Sequence, residues 1–182
     1  MSFNSYEDRQ LFAELYEATY AHLINYAKGI VHNDHDAEEI VHDAYVRFAG
    51  HFDKYKRKER KMLYGLLLVI TRNLSIDLCK KNKRRGDVLV DFNEYAAGIE
   101  ADELQGVIED DIVRRSTLES VRNAVAELKQ GDRDVIILKY YHELSNSEIG
   151  ELLSLKTKNV EVRLRRARKR LRDILEKNGV EG

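Results

Sequence analysis

Glu39 and His42 stand at the Glu-x-x-His spacing that puts a carboxylate and an imidazole on one side of a helix, with His32 and His35 just upstream. Such a pair can ligate iron or manganese, but a dinuclear carboxylate centre needs two such motifs and two further glutamates around one cavity. The chain has no second Glu-x-x-His, so no metal centre and no cofactor are expected. Cys79, the only cysteine, lies between Leu78 and Lys80 and reads as a helix filler rather than a nucleophile. It can form neither an internal disulfide nor the cysteine pairs of a structural zinc site. The remaining chemistry is recognition. Lys156 to Arg172 holds 9 Lys/Arg against Glu161 alone, and cations that dense neutralise phosphates and release counterions, which points to nucleic acid.

Charge is strongly segmented along the 182 residues, although the whole chain nets only −1. Residues 1–50 carry 3 Lys/Arg against 9 Asp/Glu, whereas residues 51–85 carry 12 against 3. Residues 86–113 carry 9 acids and no Lys or Arg, and residues 114–182 carry 16 basic against 11 acidic side chains. Two basic patches are thus separated by an acidic bridge. Runs of like charge are often only solvated faces, but two patches on two separate segments favour a polyanionic partner.

The elements that must carry these patches are helical. With no proline, 43% hydrophobic residues and almost no period-two alternation, the composition excludes collagen-like, disordered and β-rich classes. The longest apolar run, Leu66 to Ile70, is far below the roughly 20 residues of a membrane span, and Met1-Ser2-Phe3-Asn4 does not start a secretory signal, so a cytoplasmic protein is expected. The fold class expected is all-α: two small helical domains joined by an acidic linker, at 1–85, 86–112 and 113–182.

Leu11, Phe12, Leu15, Tyr16, Thr19, Tyr20, Leu23, Ile24 and Ala27 recur at helical steps and predict a first helix over 8–30. Asp36 is the expected N-cap of the second, with Glu39 at the capping-box distance. That helix turns Ala37, Ile40, Val41, Ala44 and Phe48 inward and leaves Glu38, Glu39, His42, Asp43 and Arg47 outside. A basic loop with aromatics is expected from His51 to Lys61. A third helix from Met62 buries Leu63, Leu66, Leu67, Ile70, Leu74 and Leu78 and ends near Gly86. Val88 to Val90 reads as extended linker.

Four helices are expected after the linker: Ser116 to Lys129, broken at Gln130-Gly131; Asp132 to His142; one capped by Ser145 and Glu148; and one capped by Thr157. The last buries Val160, Leu164, Ala167, Leu171 and Leu175 and is cationic elsewhere. Two short helices about a tight turn, the second presenting cations opposite its buried stripe, meet the physical needs of a helix-turn-helix. Its second helix can enter the major groove, about 12 Å wide.

Three stretches carry a resemblance: Asp36-Ala37-Glu38-Glu39-Ile40-Val41-His42-Asp43-Ala44-Tyr45, Thr71-Arg72-Asn73-Leu74-Ser75-Ile76-Asp77, and Ser147-Glu148-Ile149 through Val160 to Arg168. With them the chain resembles an extracytoplasmic-function sigma factor of bacteria over nearly its whole length, with a region-2 domain, an acidic linker and a region-4 domain in order. The resemblance implies a non-enzymatic subunit that lends promoter specificity to core RNA polymerase. Its implied partners are the polymerase, through a coiled coil of the largest subunit and the flap region, promoter DNA, and an anti-sigma factor.

By the same resemblance Glu38, Glu39, His42 and Asp43 dock on core polymerase, which suits the acidity of the first fifty residues. The family usually has glutamine where His42 stands. Minus-ten capture and melting fall to Tyr55, Lys61, Tyr64, Arg72, Asn73, Lys80 and Lys81, with Leu66 where the family often has tryptophan. Flipping a base costs a few kcal/mol of unstacking, which aromatic and amide groups can offset. Minus-thirty-five recognition falls to Lys156, Thr157, Lys158, Asn159, Glu161, Val162, Arg163, Arg165 and Arg166. Glu161 and Val162 replace the family's common Lys/Arg-Ser; a glutamate can accept from a cytosine amino group and a valine can touch a thymine methyl, each about 1–3 kcal/mol of discrimination. The rival expectation is a stand-alone helix-turn-helix regulator, which needs neither the second basic patch nor the acidic partner face.

Overall fold

A computed structural model describes residues 5–85 and 120–178, helices joined by short turns and irregular connections. The expected linker 86–112, the helix stop at Gly86, the extended piece Val88 to Val90 and the start of the helix at Ser116 lie outside those residues. The chain divides into two units, Met1–Val90 and Asp91–Gly182.

In the first unit α1 spans Tyr6–Val31, with Ser5 Oγ accepting the Asp8 N–H at 3.0 Å. His32 stops it in the left-handed region, φ 54°, its own N–H returning to the Lys28 carbonyl. Asn33 then caps α2, Asp34–Gly50, its Oδ1 taking the Asp36 N–H at 3.0 Å. The expected cap at Asp36 is therefore displaced by three residues. Asn33 supplies the same short acceptor, and the earlier start puts Asp34 and Asp36 in the first turn, where their charge opposes the positive end of the helix dipole.

The expected loop from His51 to Lys61 contains a further turn, α3, Phe52–Tyr55, and α4 opens at Arg60 rather than Met62, running to Arg85. Packing overrides local polarity here. Phe52 is buried, edge-on to Phe48 at 5.8 Å and to Phe12 at 5.9 Å between centroids.

Helices α1, α2 and α4 pack pairwise around Leu15, Ala27, Val41, Phe48, Leu63 and Leu67. Along α4 the fully inward row continues from Leu63 and Leu67 to Thr71, Ser75 and Cys79, one step of four at a time. Leu66, Ile70, Leu74 and Leu78, expected inside, are half-buried against the same core. The small side chains of Thr71 and Ser75 fill the seam, Ser75 bonding back to the Thr71 carbonyl at 2.9 Å. Cys79 closes the row with its Sγ 3.5 Å from the Ile30 carbonyl of α1. By length and composition α4 is apolar enough to cross a membrane, contrary to the expectation from its short unbroken run. Its buried residues instead pack on α1 and α2.

The second unit has α5, helical over 120–126, α6, Gln130–Ile136, with a single π turn at Ile137–Tyr141, α7, Asn146–Leu153, and α8, Thr157–Lys177. Gln130 and Gly131 begin α6 instead of merely breaking a helix. The Arg133 guanidinium explains why the chain turns earlier, donating to the carbonyls of Ala126 and Leu128 at the end of α5. The Ser145–Glu148 capping box forms as expected, at 3.2 and 2.7 Å. Thr157 is the first helical residue and not a cap. Val160, Leu164 and Ala167 are buried, but Leu171 and Leu175 are only half-buried.

At the end of the π turn, burial pushes His142 down to about 4 from 6.5, so it is neutral at pH 7. Between those values the unfolded chain binds the proton and the folded unit does not. The stabilisation is therefore full above pH 6.5 and lost as the pH falls through about 4, by at most ~3 kcal/mol. His142→Gln is expected to flatten the acid limb of a melting-temperature profile over that window; an unchanged limb would show that His142 is not the group responsible.

Candidate functional site

The outer side of α2 follows from a simple helical division. Ala37, Ile40, Val41 and Ala44 are buried, which leaves Glu38, Glu39, His42 and Asp43 all exposed. Glu39 meets His35 at 3.5 Å, one turn earlier, and not His42. Among the described residues no group of three or more His, Cys, Asp or Glu side chains converges as metal ligands would. Val46, 43% exposed, extends this side with an apolar residue. The arrangement suits docking on a cationic protein surface.

On α3 and α4 the cations divide into two kinds. Lys56 reaches Asp8 at 2.9 Å and Asp53 at 2.8 Å, and Arg60 reaches Glu14 at 2.6 Å, so both tie the α3 segment to α1. These anchors were invisible as such in the sequence, because Asp8 and Glu14 lie more than forty residues upstream. Tyr55 and Tyr64 are half-buried against the core, Tyr55 beneath the Lys54 ammonium at 4.9 Å. Lys61 is half-buried and pairs with Glu59 at 3.2 Å. Asn73 is exposed, and Arg72 Nη1 donates to its Oδ1 at 2.8 Å, which leaves the amide presenting its two N–H donors. Lys80 and Lys81 are exposed, Lys80 loosely paired with Asp77 at 4.0 Å.

The structure does not bring Tyr64 and Asn73 together. Asn73 and Lys80 lie seven residues apart and share a side of α4, but Tyr64 is nine residues from Asn73, about 13.5 Å along the axis and half a turn round it. An amide and an aromatic meant to hold the same base would have to come from Asn73 and a different ring.

In the second unit α7 and α8 meet through Ser154, Leu155 and Lys156. Ser154 sits in the left-handed region at φ 54°, and the Leu155 N–H returns to the Gly150 carbonyl at 2.9 Å. A Cβ at Gly150 would fall 2.7 Å from the Leu155 carbonyl oxygen, so this crossing requires glycine. Helix α8 then offers Lys158, Asn159, Glu161, Val162 and Arg165 on its exposed first turns, with Lys156 and Thr157 exposed at its start. Val162 is 47% exposed.

Arg163 and Arg166 are placed differently. Arg163 folds over the first turn of α6, where a Cβ on Gly131 would come within 2.9 Å of its Nη1. Arg166 holds Asp132 through Nε at 3.1 and 3.2 Å and Nη2 at 2.5 Å, and Arg170 Nη1 donates to the other oxygen. The bonds to Asp132 keep the Arg166 guanidinium even more firmly protonated than usual. Sequence reasoning missed Asp132, Gly131 and Gly150. Asp132 sits in Gly-Asp-Arg-Asp, which reads as a solvated turn, and only its position just before an apolar run hints at burial.

The Sigma-70 region 2 family description matches residues 15–85, and Sigma-70, region 4 matches residues 118–171. The ECF RNA polymerase sigma factor SigW of Bacillus subtilis is 30% identical over 177 residues, covering 92% of this chain and 90% of its own. The RNA polymerase sigma factor YlaC of the same organism is 24% identical, covering 93% and 95%. Among solved structures, the sigma factor RpoE of Bartonella quintana, in complex with the anti-sigma factor NepR, superposes with a TM-score of 0.62 at 20% identity, covering 94% of this chain and 98% of that one. CnrH, in complex with the cytosolic domain of CnrY, gives 0.53 at 22% identity, with 92% and 89% covered.

Proposed function

We propose a division of labour for this chain, which belongs to the extracytoplasmic-function sigma factors and directs promoter-specific initiation of transcription. The acidic side of α2, centred on Glu38, Glu39, His42 and Asp43, docks on the coiled coil of the largest subunit of core RNA polymerase. Asn73, Arg72, Lys80 and Lys81 on α4, with Tyr55 and Lys61 at its approach, hold the melted minus-ten strand. Tyr64 supports that surface from the core side. Lys156, Thr157, Lys158, Asn159, Glu161, Val162 and Arg165 read the minus-thirty-five element.

The observation that carries this reading lies within the first unit: one helix, α2, exposes Glu38, Glu39 and Asp43 together with His42, while another, α4, exposes Asn73, Lys80 and Lys81. An acidic surface is repelled by DNA and a cationic one attracts it, so a single unit can grip protein and nucleic acid at once. Such a subunit needs no reaction of its own, since the polymerase supplies the chemistry, and it works where the polymerase is, in the cytoplasm. In this reading the acidic stretch 86–112 is the linker between the region-2 and region-4 domains, and an anti-sigma factor, as in the complex of RpoE, is the expected regulator.

Mixing the full chain with core polymerase and sequencing the transcripts made in vitro tests the reading directly. Discrete start sites that share two upstream elements are expected, and none with either component alone. Tight, specific duplex binding by the chain without polymerase would favour a stand-alone regulator instead.

A further inference from the structure

We propose that Asp132 is a positioning residue that commits one edge of α8, Arg163, Arg166 and Arg170, to holding that helix on α6, so that DNA contact falls to a second edge formed by Lys158, Val162, Arg165 and Lys169. The inference rests on the reading of α8 as the recognition helix.

The Asp132 side chain is 0% exposed, whereas its partners Arg166 and Arg170 are 52% and 39% exposed. A carboxylate so deeply buried is tolerated only when paired and hydrogen-bonded. Two guanidiniums supply that, Arg166 as a fork across both oxygens and Arg170 on one. Arg163 completes the line, lying on α6 where Gly131 has no side chain to obstruct it. Residues 163, 166 and 170 step by three and four and form one line down the helix. Lys158, Val162, Arg165 and Lys169 form another, exposed and about 100° away round the axis.

Rotation of a recognition helix about its own axis decides which side chains enter the groove, and the fork on Asp132 holds that rotation. It also removes one positive charge from the pair, so Arg166 and Arg170 with Asp132 present a net of one cation and not two. Both arginines are thereby held back from competing with Arg165 for phosphates.

The test uses the full chain assembled with core polymerase, bound to a promoter duplex and to an unrelated duplex over a series of salt concentrations. Asp132→Asn frees both guanidiniums. Affinity for the unrelated duplex is expected to rise, the slope of log K against log salt to steepen by about 0.9, and the preference for the promoter to fall. A merely structural Asp132 would weaken both duplexes together with slope and preference unchanged, which overturns the inference.

Arg166→Gln provides a second reading that does not depend on how Asp132→Asn folds. It is expected to lower the melting temperature and to change the salt slope less than Arg165→Gln, which should flatten it by about 0.9 without affecting melting. If Arg166→Gln melts like the parent and flattens the slope as much as Arg165→Gln, the inference fails. If Arg165→Gln alone leaves the slope unmoved, the reading of α8 as the DNA-binding helix fails, and the melting of Arg166→Gln still decides the role of Asp132.

Discussion

With Glu39 and Asp43 both changed to lysine, the chain is expected to bind core RNA polymerase roughly 100-fold more weakly while melting as the parent does. Placing like charges across an interface costs several kcal/mol, and two reversals at the centre of one docking surface exceed what its rim can restore. The fold should not notice. Both side chains are exposed, and the one ion pair they lose, Glu39 with His35, joins groups 69% and 79% exposed, a class of pair worth little. The buried neighbours Ala37, Ile40, Val41 and Ala44, which hold α2 in place, are untouched. Titration of labelled core enzyme measures the effect, and an affinity equal to the parent's removes α2 as the docking helix.

Phe48→Ala should act through the opposite route, abolishing function by unfolding its scaffold. Phe48 is fully buried where α1, α2 and α3 meet, stacked on Phe12 at 6.0 Å and edge-on to Phe52 at 5.8 Å. Truncating a buried phenylalanine costs about 3–5 kcal/mol, a large share of the 5–15 kcal/mol that holds a typical domain together. At roughly 4–8 °C per kcal/mol for a unit of this size, the transition of the first unit should fall by more than about 12 °C. Polymerase docking and minus-ten binding should fail together at temperatures where the second unit is still folded. A fall of only a few degrees would mean that the aromatic cluster is not the centre of this core.

Much of this arrangement can be read from neighbouring residues. The inward face of α2, the Ser145–Glu148 capping box and the row Val160, Leu164 and Ala167 are set by contacts within one or two helical turns, which periodicity reports directly. The exposed acids on α2 followed from the same rule. In the first unit the larger departures came from packing between helices. A loop became α3 because Phe52 found Phe12 and Phe48, and the α4 seam shifted onto Thr71, Ser75 and Cys79 because α1 and α2 approach there.

The inward side of α2 and the sign of charge on every segment are properties of the linear pattern, since they depend on residue type and spacing alone. Which cations remain available to DNA is not such a property. Arg165 and Arg166 are adjacent and chemically identical, and what separates them is a carboxylate 34 residues before Arg166 that folding buries beneath one and not the other. A charge removed from water must be answered by whatever lies within a few ångströms, and that neighbour is chosen by the packing of α6 against α8.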